Sequence, residues 1–203
     1  MLVAVVDYGM CNLDSVGRML EVCGGKVVIA AKPSDFEYVT HIVLPGVGSF
    51  FEAMKQLKKN QLDEAISKVV TEEDIPILGI CLGMQLLTSF GDEGGGVEGL
   101  GLIPGRVQEL LPKSTAERVP HIGWNELRQQ KSHPIFDGVQ DASDFYFVHS
   151  YHACVDESHV LATTPHCGGF SSAIGRGKIL GVQFHPEKSQ KVGRQMLSNF
   201  LKM

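Results

Sequence analysis

Short, continuously apolar runs alternate along the first half of the chain with stretches whose apolar residues recur every three or four positions. Leu2-Val3-Ala4-Val5-Val6 runs into Asp7. A run with no polar face fits a strand covered on both sides in a parallel sheet. Asn12 is placed to cap a helix through Glu21, with Leu13, Val16, Met19, Leu20 and Cys23 on one face and Gly24-Gly25 ending it. Val27–Ala30, His41–Leu44 and Ile77–Ile80 read as further strands. One long helix is expected from about Phe50 to Val70, and another continues through Met84-Gln85-Leu86-Leu87. Strands separated by helical stretches predict an α/β fold: a three-layer α/β/α arrangement around an open, mostly parallel sheet.

The second half has a different rhythm. Gly91 to Gly105 is glycine-rich without periodicity and reads mostly as loop. Val119–Asn125, Phe145–Tyr151 and Val160–Thr163 read as strands. Phe170–Ile174 and Ile179–Phe184 flank Gly175-Arg176-Gly177-Lys178, a hairpin signal. A last helix opens at Ser189 or Gln190 and carries Val192, Met196, Leu197, Phe200 and Leu201 on one face. No repeat or linker interrupts the chain, so one domain over 1–203 with an antiparallel extension is expected.

Composition narrows the partners. Lys plus Arg is 18 against 23 Asp plus Glu, a formal charge of -5. A mildly acidic chain lacks the basic footprint of a nucleic-acid binder. No run approaches the ~20 apolar residues of a membrane helix, and no basic segment precedes Leu2, so neither membrane nor signal peptide is expected. Cys11, Cys23, Cys81, Cys154 and Cys167 are odd in number and widely spaced. That fits reduced thiols in a cytoplasmic protein rather than a disulfide framework. His149 and His152, or His166 beside Cys167, do not have zinc-site spacing, and no metal is expected. Gly94-Gly95-Gly96 lacks the strand before it and the Lys-Ser/Thr after it that a phosphate loop needs.

Three segments carry chemistry. Gly79-Ile80-Cys81-Leu82-Gly83 matches a G-x-nucleophile-x-G elbow, in which a strained strand-to-helix turn lifts the nucleophile above the sheet. Backbone N–H groups at the helix start favour a thiolate and can hold an oxyanion. The alternative is a buried structural cysteine between two turn glycines. In His185-Pro186-Glu187, proline favours extended backbone before it, so the two side chains two residues apart can share a side. Glu187 could then orient the imidazole that deprotonates the thiol; alone, the segment could equally be a surface turn. Pro45-Gly46-Val47-Gly48 follows a buried strand and could turn backbone N–H groups toward an anion. All three fall at strand ends, and together they form a kit for acyl transfer through a thioester.

Gly79-Ile80-Cys81-Leu82-Gly83-Met84-Gln85, His185-Pro186-Glu187 and Leu44-Pro45-Gly46-Val47-Gly48 together resemble the class I glutamine amidotransferases. Asp7-Tyr8-Gly9-Met10, Pro120–Asn125, Tyr146–Tyr151 and His185–Ser189 are similar to the glutaminase subunits of imidazole glycerol phosphate synthase within that family. The resemblance covers nearly the whole chain and implies a flavodoxin-like sheet. It implies Cys81 as nucleophile on the amide of glutamine, His185 as base and then acid, and Glu187 as its orienting carboxylate. It implies an oxyanion hole from the N–H groups of Leu82 and of Val47 or Gly48. Glutamine would be held by Gly46, Gln85 and the main chain around His149, Ser150 and Tyr151. The peptide at Gly46–Gly48 is expected to reorient when the partner and its substrate bind, so the hole is expected to be unformed in the free subunit. No cofactor is implied. The partner implied is a (β/α)8 cyclase in a heterodimer, which would use the ammonia to make imidazole glycerol phosphate and an aminoimidazole carboxamide ribotide. Trp124 and Tyr146 are placed at that interface, with a core position for Trp124 as the alternative. The family usually has glycine where this chain has Cys11, which puts the Gly9–Asn12 loop in doubt. A paralogue supplying another acceptor, such as a surface sugar, and a stand-alone cysteine hydrolase are the competing readings.

Overall fold

A computed structural model describes residues 1–203. The elements run β1 (Leu2–Val6), α1 (Leu13–Val22), β2 (Lys26–Ala30), β3 (His41–Gly46), α2 (Phe50–Lys59), α3 (Leu62–Thr71), β4 (Ile77–Cys81), α4 (Leu82–Leu86), β5 (Thr88–Gly91), β6 (Val97–Glu98), β7 (Ile103–Glu109), β8 (His121–Gln129), β9 (Ser143–His149), β10 (Tyr151–Val155), β11 (Val160–Thr164), β12 (Phe170–Arg176), β13 (Ile179–Val182) and α5 (Gln190–Phe200).

Nine strands form one sheet in the order β2-β1-β3-β4-β13-β12-β11-β8-β9. The pairs from β2 to β13 are parallel and the rest antiparallel, so the expected extension is continuous with the parallel half. Alternation along β1 shows how both faces are filled. Val3 and Val5 join a core with Val16 and Leu20 of α1 and Met196, Leu197 and Phe200 of α5. Ala4 and Val6 join another with Phe50, Met54 and Leu57 of α2 and Leu62 and Ile66 of α3. No helix is long and apolar enough to cross a membrane.

Four expectations need correction. The stretch from Phe50 to Val70 is two helices broken at Gln61, whose φ is 58°. The apolar stripe slips phase there: Phe50, Ala53, Met54 and Leu57 would continue at 61, but the next buried residue is Leu62. The loop expected over residues 91–105 is interrupted: it holds β6 and the start of β7 in a second sheet ordered β10-β7-β5-β6. Gly94, Gly95, Gly96 and Gly101 turn the chain with left-handed φ, whereas Gly91 and Gly105 serve close approach: a Cβ on Gly105 would lie 2.7 Å from the Cys154 carbonyl and one on Gly91 2.6 Å from the Phe50 ring. Phe145–Tyr151 is not one strand: the chain leaves the large sheet at His149 and enters the small one at Tyr151. Asn12 stands at the start of α1 but its side chain makes no capping bond. Cys11 takes the family's glycine position without a left-handed φ, its thiol directed to the Val6 carbonyl at 3.5 Å, and burial first among its causes pushes it up to about 11.

Candidate active site

The three motifs meet on adjacent strands. β3, β4 and β13 are parallel neighbours; Gly46 pairs with Cys81, and Val182 pairs with Ile80. Cys81 ends β4 with φ 55° and ψ −111°, a conformation that costs a non-glycine residue of order 1–3 kcal/mol. Its neighbours explain the glycines. A Cβ on Gly79 would lie 2.6 Å from the backbone of Gly83, and one on Gly83 would overlap the Leu44 carbonyl oxygen. Leu82 opens α4, where N–H groups have no intrahelical partner.

His185 follows β13 and is 3% exposed. Nδ1 lies 2.7 Å from Glu187 Oε1. Nε2 of His185 and Oε2 of Glu187 are buried without a hydrogen-bond partner. Such atoms cost about 1–3 kcal/mol each when left unpaired, so Nε2 is the ring nitrogen with capacity for a further partner. Burial pulls the imidazolium down, but the Cys81 thiol and the Glu187 carboxylate outweigh it and push His185 up to about 10. The Cys81 thiol points to the Val148 carbonyl at 3.8 Å, and Gln183 Nε2 donates to the sulfur at 3.8 Å. The turn carrying His185 is tied to β9: its N–H donates to the Tyr146 carbonyl at 2.9 Å, and the Tyr146 N–H donates to Ser189 Oγ at 3.0 Å.

A cleft of about 190 Å³ opens beside the sulfur. It is lined by Val47, Gly48, Cys81, Leu82, Gln85, Glu93, Val148, His149, Ser150 and Tyr151. Gly46 is not in its wall; it packs beneath, where a Cβ would overlap the Tyr8 hydroxyl, itself bonded to the Pro45 carbonyl at 2.9 Å. Gln85 Nε2 donates to the Tyr151 carbonyl at 2.9 Å and to Gln183 Oε1 at 3.1 Å, which leaves Oε1 as its capacity for a ligand. The Ser150 carbonyl accepts from Leu110 at 2.8 Å. The carbonyls of Ser150 and Tyr151 are thus engaged within the protein. The Val47 N–H donates to the Met10 carbonyl at 2.9 Å and is likewise engaged. Gly48 has φ 99°, left-handed backbone suited to glycine.

Glu93 is the residue that sequence reasoning missed. It lies in the glycine-rich segment, brings a carboxylate to the cleft, and accepts from the Phe50 N–H at 2.6 Å. Away from the cleft, Trp124 is 49% exposed rather than in the core, edge-on to its cross-strand partner Tyr146 at 5.9 Å, with Lys188 Nζ over the Tyr146 ring at 5.7 Å. Glu117 joins His166 and Cys167, with ligand atoms within 4.8 Å of one another, a grouping their spacing did not reveal. Both Glu117 oxygens already accept backbone N–H groups, of Cys167 at 2.8 Å and Lys113 at 2.6 Å, so this carboxylate ties two loops together.

Comparison with known proteins gives the family. The family model for class-I glutamine amidotransferases matches residues 4–203. The chain is 43% identical over 202 residues to the imidazole glycerol phosphate synthase subunit HisH of Nitrosococcus oceani, covering 98% of this chain and 96% of that one. It is 44% identical to the HisH subunit of Moorella thermoacetica, over 98% of this chain and 93% of the relative. Among solved structures, PurLQS from Thermotoga maritima superposes with a TM-score of 0.76 at 17% identity, covering 99% of this chain and 97% of that one. A glutamine amidotransferase from the same organism gives 0.67 at 16% identity, over 100% and 83%. The chain belongs to the class-I glutamine amidotransferases, and within them to the family of the imidazole glycerol phosphate synthase HisH subunits.

Proposed function

We propose that this chain is the glutaminase subunit of an imidazole glycerol phosphate synthase, one catalytic domain working with a (β/α)8 cyclase in a heterodimer. The observation that carries the reading is Cys81 in the wall of a small cleft, with His185 coupled to its thiol and held at Nδ1 by Glu187. The Cys81 proton passes to His185 before the attack, in keeping with the raised imidazole, and Cys81 Sγ then attacks the side-chain amide carbon of glutamine. Glu187 favours the charged imidazole, which then delivers that proton to the leaving nitrogen. Ammonia departs, and water, deprotonated by the same imidazole, cleaves the thioester to glutamate and restores the thiol.

Substrate recognition follows from which atoms are free. Glu93 and Gln85 Oε1 are acceptors suited to the ammonium group of glutamine. With the Ser150 and Tyr151 carbonyls engaged, the main chain there has N–H donors to offer the carboxylate. The oxyanion would be held by the Leu82 N–H and by a second donor from Val47 or Gly48. As the loop stands, the Val47 N–H is held by Met10, and docking of the partner would release it. Trp124, with Tyr146 beside it, supplies the aromatic anchor for that partner.

The test is glutamate release in the assembled synthase with wild-type chain and with Cys81→Ala. The variant should keep its melting temperature and lose roughly 10³-fold or more in turnover, as loss of a covalent nucleophile does. Near wild-type turnover would refute the nucleophile.

A further inference from the structure

Running back from His149 in the cleft wall, two buried histidines form an ordered pair whose ring nitrogens glutamine hydrolysis as described does not use. His149 Nδ1 lies 2.8 Å from the Tyr151 carbonyl. A carbonyl only accepts, so Nδ1 carries the proton and Nε2 is left as an acceptor. His121 Nδ1 lies 3.0 Å from that Nε2, so it too must be the protonated nitrogen. The far side is fixed independently. Asn125 Oδ1 accepts from the Glu126 N–H at 2.9 Å, which turns its amide so that Nδ2 donates to His121 Nε2 at 3.1 Å. Read from either end, the series has one direction: Asn125 to His121 to His149 to the Tyr151 carbonyl.

The other donor to that carbonyl is Gln85 Nε2 at 2.9 Å, and Gln85 then reaches Gln183, which reaches the Cys81 sulfur. The histidine pair therefore holds one side of the peptide against which the glutamine-binding amide is set. Moving the His149 proton to Nε2 would break two bonds together: Nδ1 would face the Tyr151 oxygen lone pair to lone pair, and two N–H groups would meet between the rings. Rings stacked or edge-on around the pair, His166 at 4.1 Å and Phe147 at 4.9 Å from His121, and Phe170 at 4.8 Å from His149, leave neither imidazole room to turn. The series starts on β8, where the exposed Trp124 precedes Asn125.

We propose that His121 is a positioning residue for the glutamine subsite: with Asn125 it locks His149 in the Nδ1–H tautomer, and His149 fixes the Tyr151 carbonyl and through it Gln85. This rests on the glutaminase reading above.

The test compares His121→Phe and His121→Asn in the assembled synthase, with glutamine varied. Phenylalanine keeps the ring and the stacking but removes the donor. Asparagine places an amide N–H where Nδ1–H was. His121→Phe should raise the KM for glutamine roughly three- to ten-fold, the worth of one neutral hydrogen bond, with kcat changed by less than about two-fold. His121→Asn should bring KM back to within about two-fold of wild type. An unchanged KM in folded His121→Phe, a fall in kcat alone, or an asparagine variant no better than phenylalanine would overturn the proposal. Nitrogen-15 NMR of the wild-type rings stands whether or not a variant folds: Nδ1–H on both His121 and His149 is expected, and Nε2–H on either refutes it. A wild-type synthase releasing no glutamate would refute the glutaminase reading while leaving the tautomer result to judge the ordered pair.

Discussion

The turn after β4 and the turn after β3 lie side by side, with Gly46 paired to Cys81, and each is bracketed by glycines. Gly46 is packed as closely as the elbow glycines, against the Tyr8 hydroxyl, but Gly48 does the opposite work. At Gly79 and Gly83 the space a Cβ would take is already filled by backbone, of Gly83 itself and of Leu44. The elbow is therefore wedged, and the strained φ of Cys81 is held by packing it cannot escape. At Gly48 a Cβ would meet only the terminal methyl of Met10, at 3.0 Å, and the neighbouring Val47 is 45% exposed. One backbone hydrogen bond, Val47 to Met10, holds that peptide, worth about 1 kcal/mol. The proposed nucleophile thus sits on an element wedged in place, and the candidate oxyanion donor on one that is inexpensive to reorient.

The sharpest way to break this comparison is one methyl group on each turn. Gly83→Ala places its Cβ on the Leu44 carbonyl and should destabilise the fold by at least about 3 kcal/mol, seen as insoluble protein or a collapsed melting temperature. Gly48→Ala should cost only of order 1–2 kcal/mol, from its left-handed φ, and act mainly on turnover. Equal melting losses would contradict the contrast between the two turns.

A smaller effect is expected from Glu187→Gln, which keeps the hydrogen bond's shape but removes the charge. Turnover should fall about 10²–10⁴-fold, the usual contribution of a positioned acid–base group. His185 should titrate below its present value of about 10. A raised histidine contributes fully below its ordinary value of 6.5, and that contribution is lost as pH rises through about 10. Glu187→Gln should bring this alkaline loss to lower pH in thermal melts; an unmoved loss would show that Glu187 does not govern His185.

The smallest effect lies on the acid side. Burial, with lesser help from neighbouring histidines, lowers His121 to about 4 and His149 to about 3, so folding keeps both neutral. Their contribution is intact above 6.5 and is lost as pH falls from there toward those values. Melting temperature should therefore drop progressively below pH ~6.5, and the drop should be shallower in His121→Asn.

The same contrast explains what was legible in the chain. The elbow could be read because close backbone approach demands glycine at fixed offsets around the nucleophile, and the pattern is local. His185 and Glu187 could be read because proline sets the backbone between them. Glu93 could not be read: it sits among glycines that look like loop, and only the small second sheet brings it to the cleft. The roles of His121 and Asn125 depend on a cross-strand register, His121 opposite His149, that no spacing along the chain encodes. The break at Gln61 was visible as a phase slip, but no glycine or proline marks it.

In the free chain the proposed catalytic triad is built, but its proposed oxyanion donor is held back. The most direct measurement is glutamate release from glutamine by the purified chain alone, then with the cyclase and its nucleotide substrate. A low rate alone and a large rise in the mixture is the predicted result. Full activity in the chain alone would contradict it.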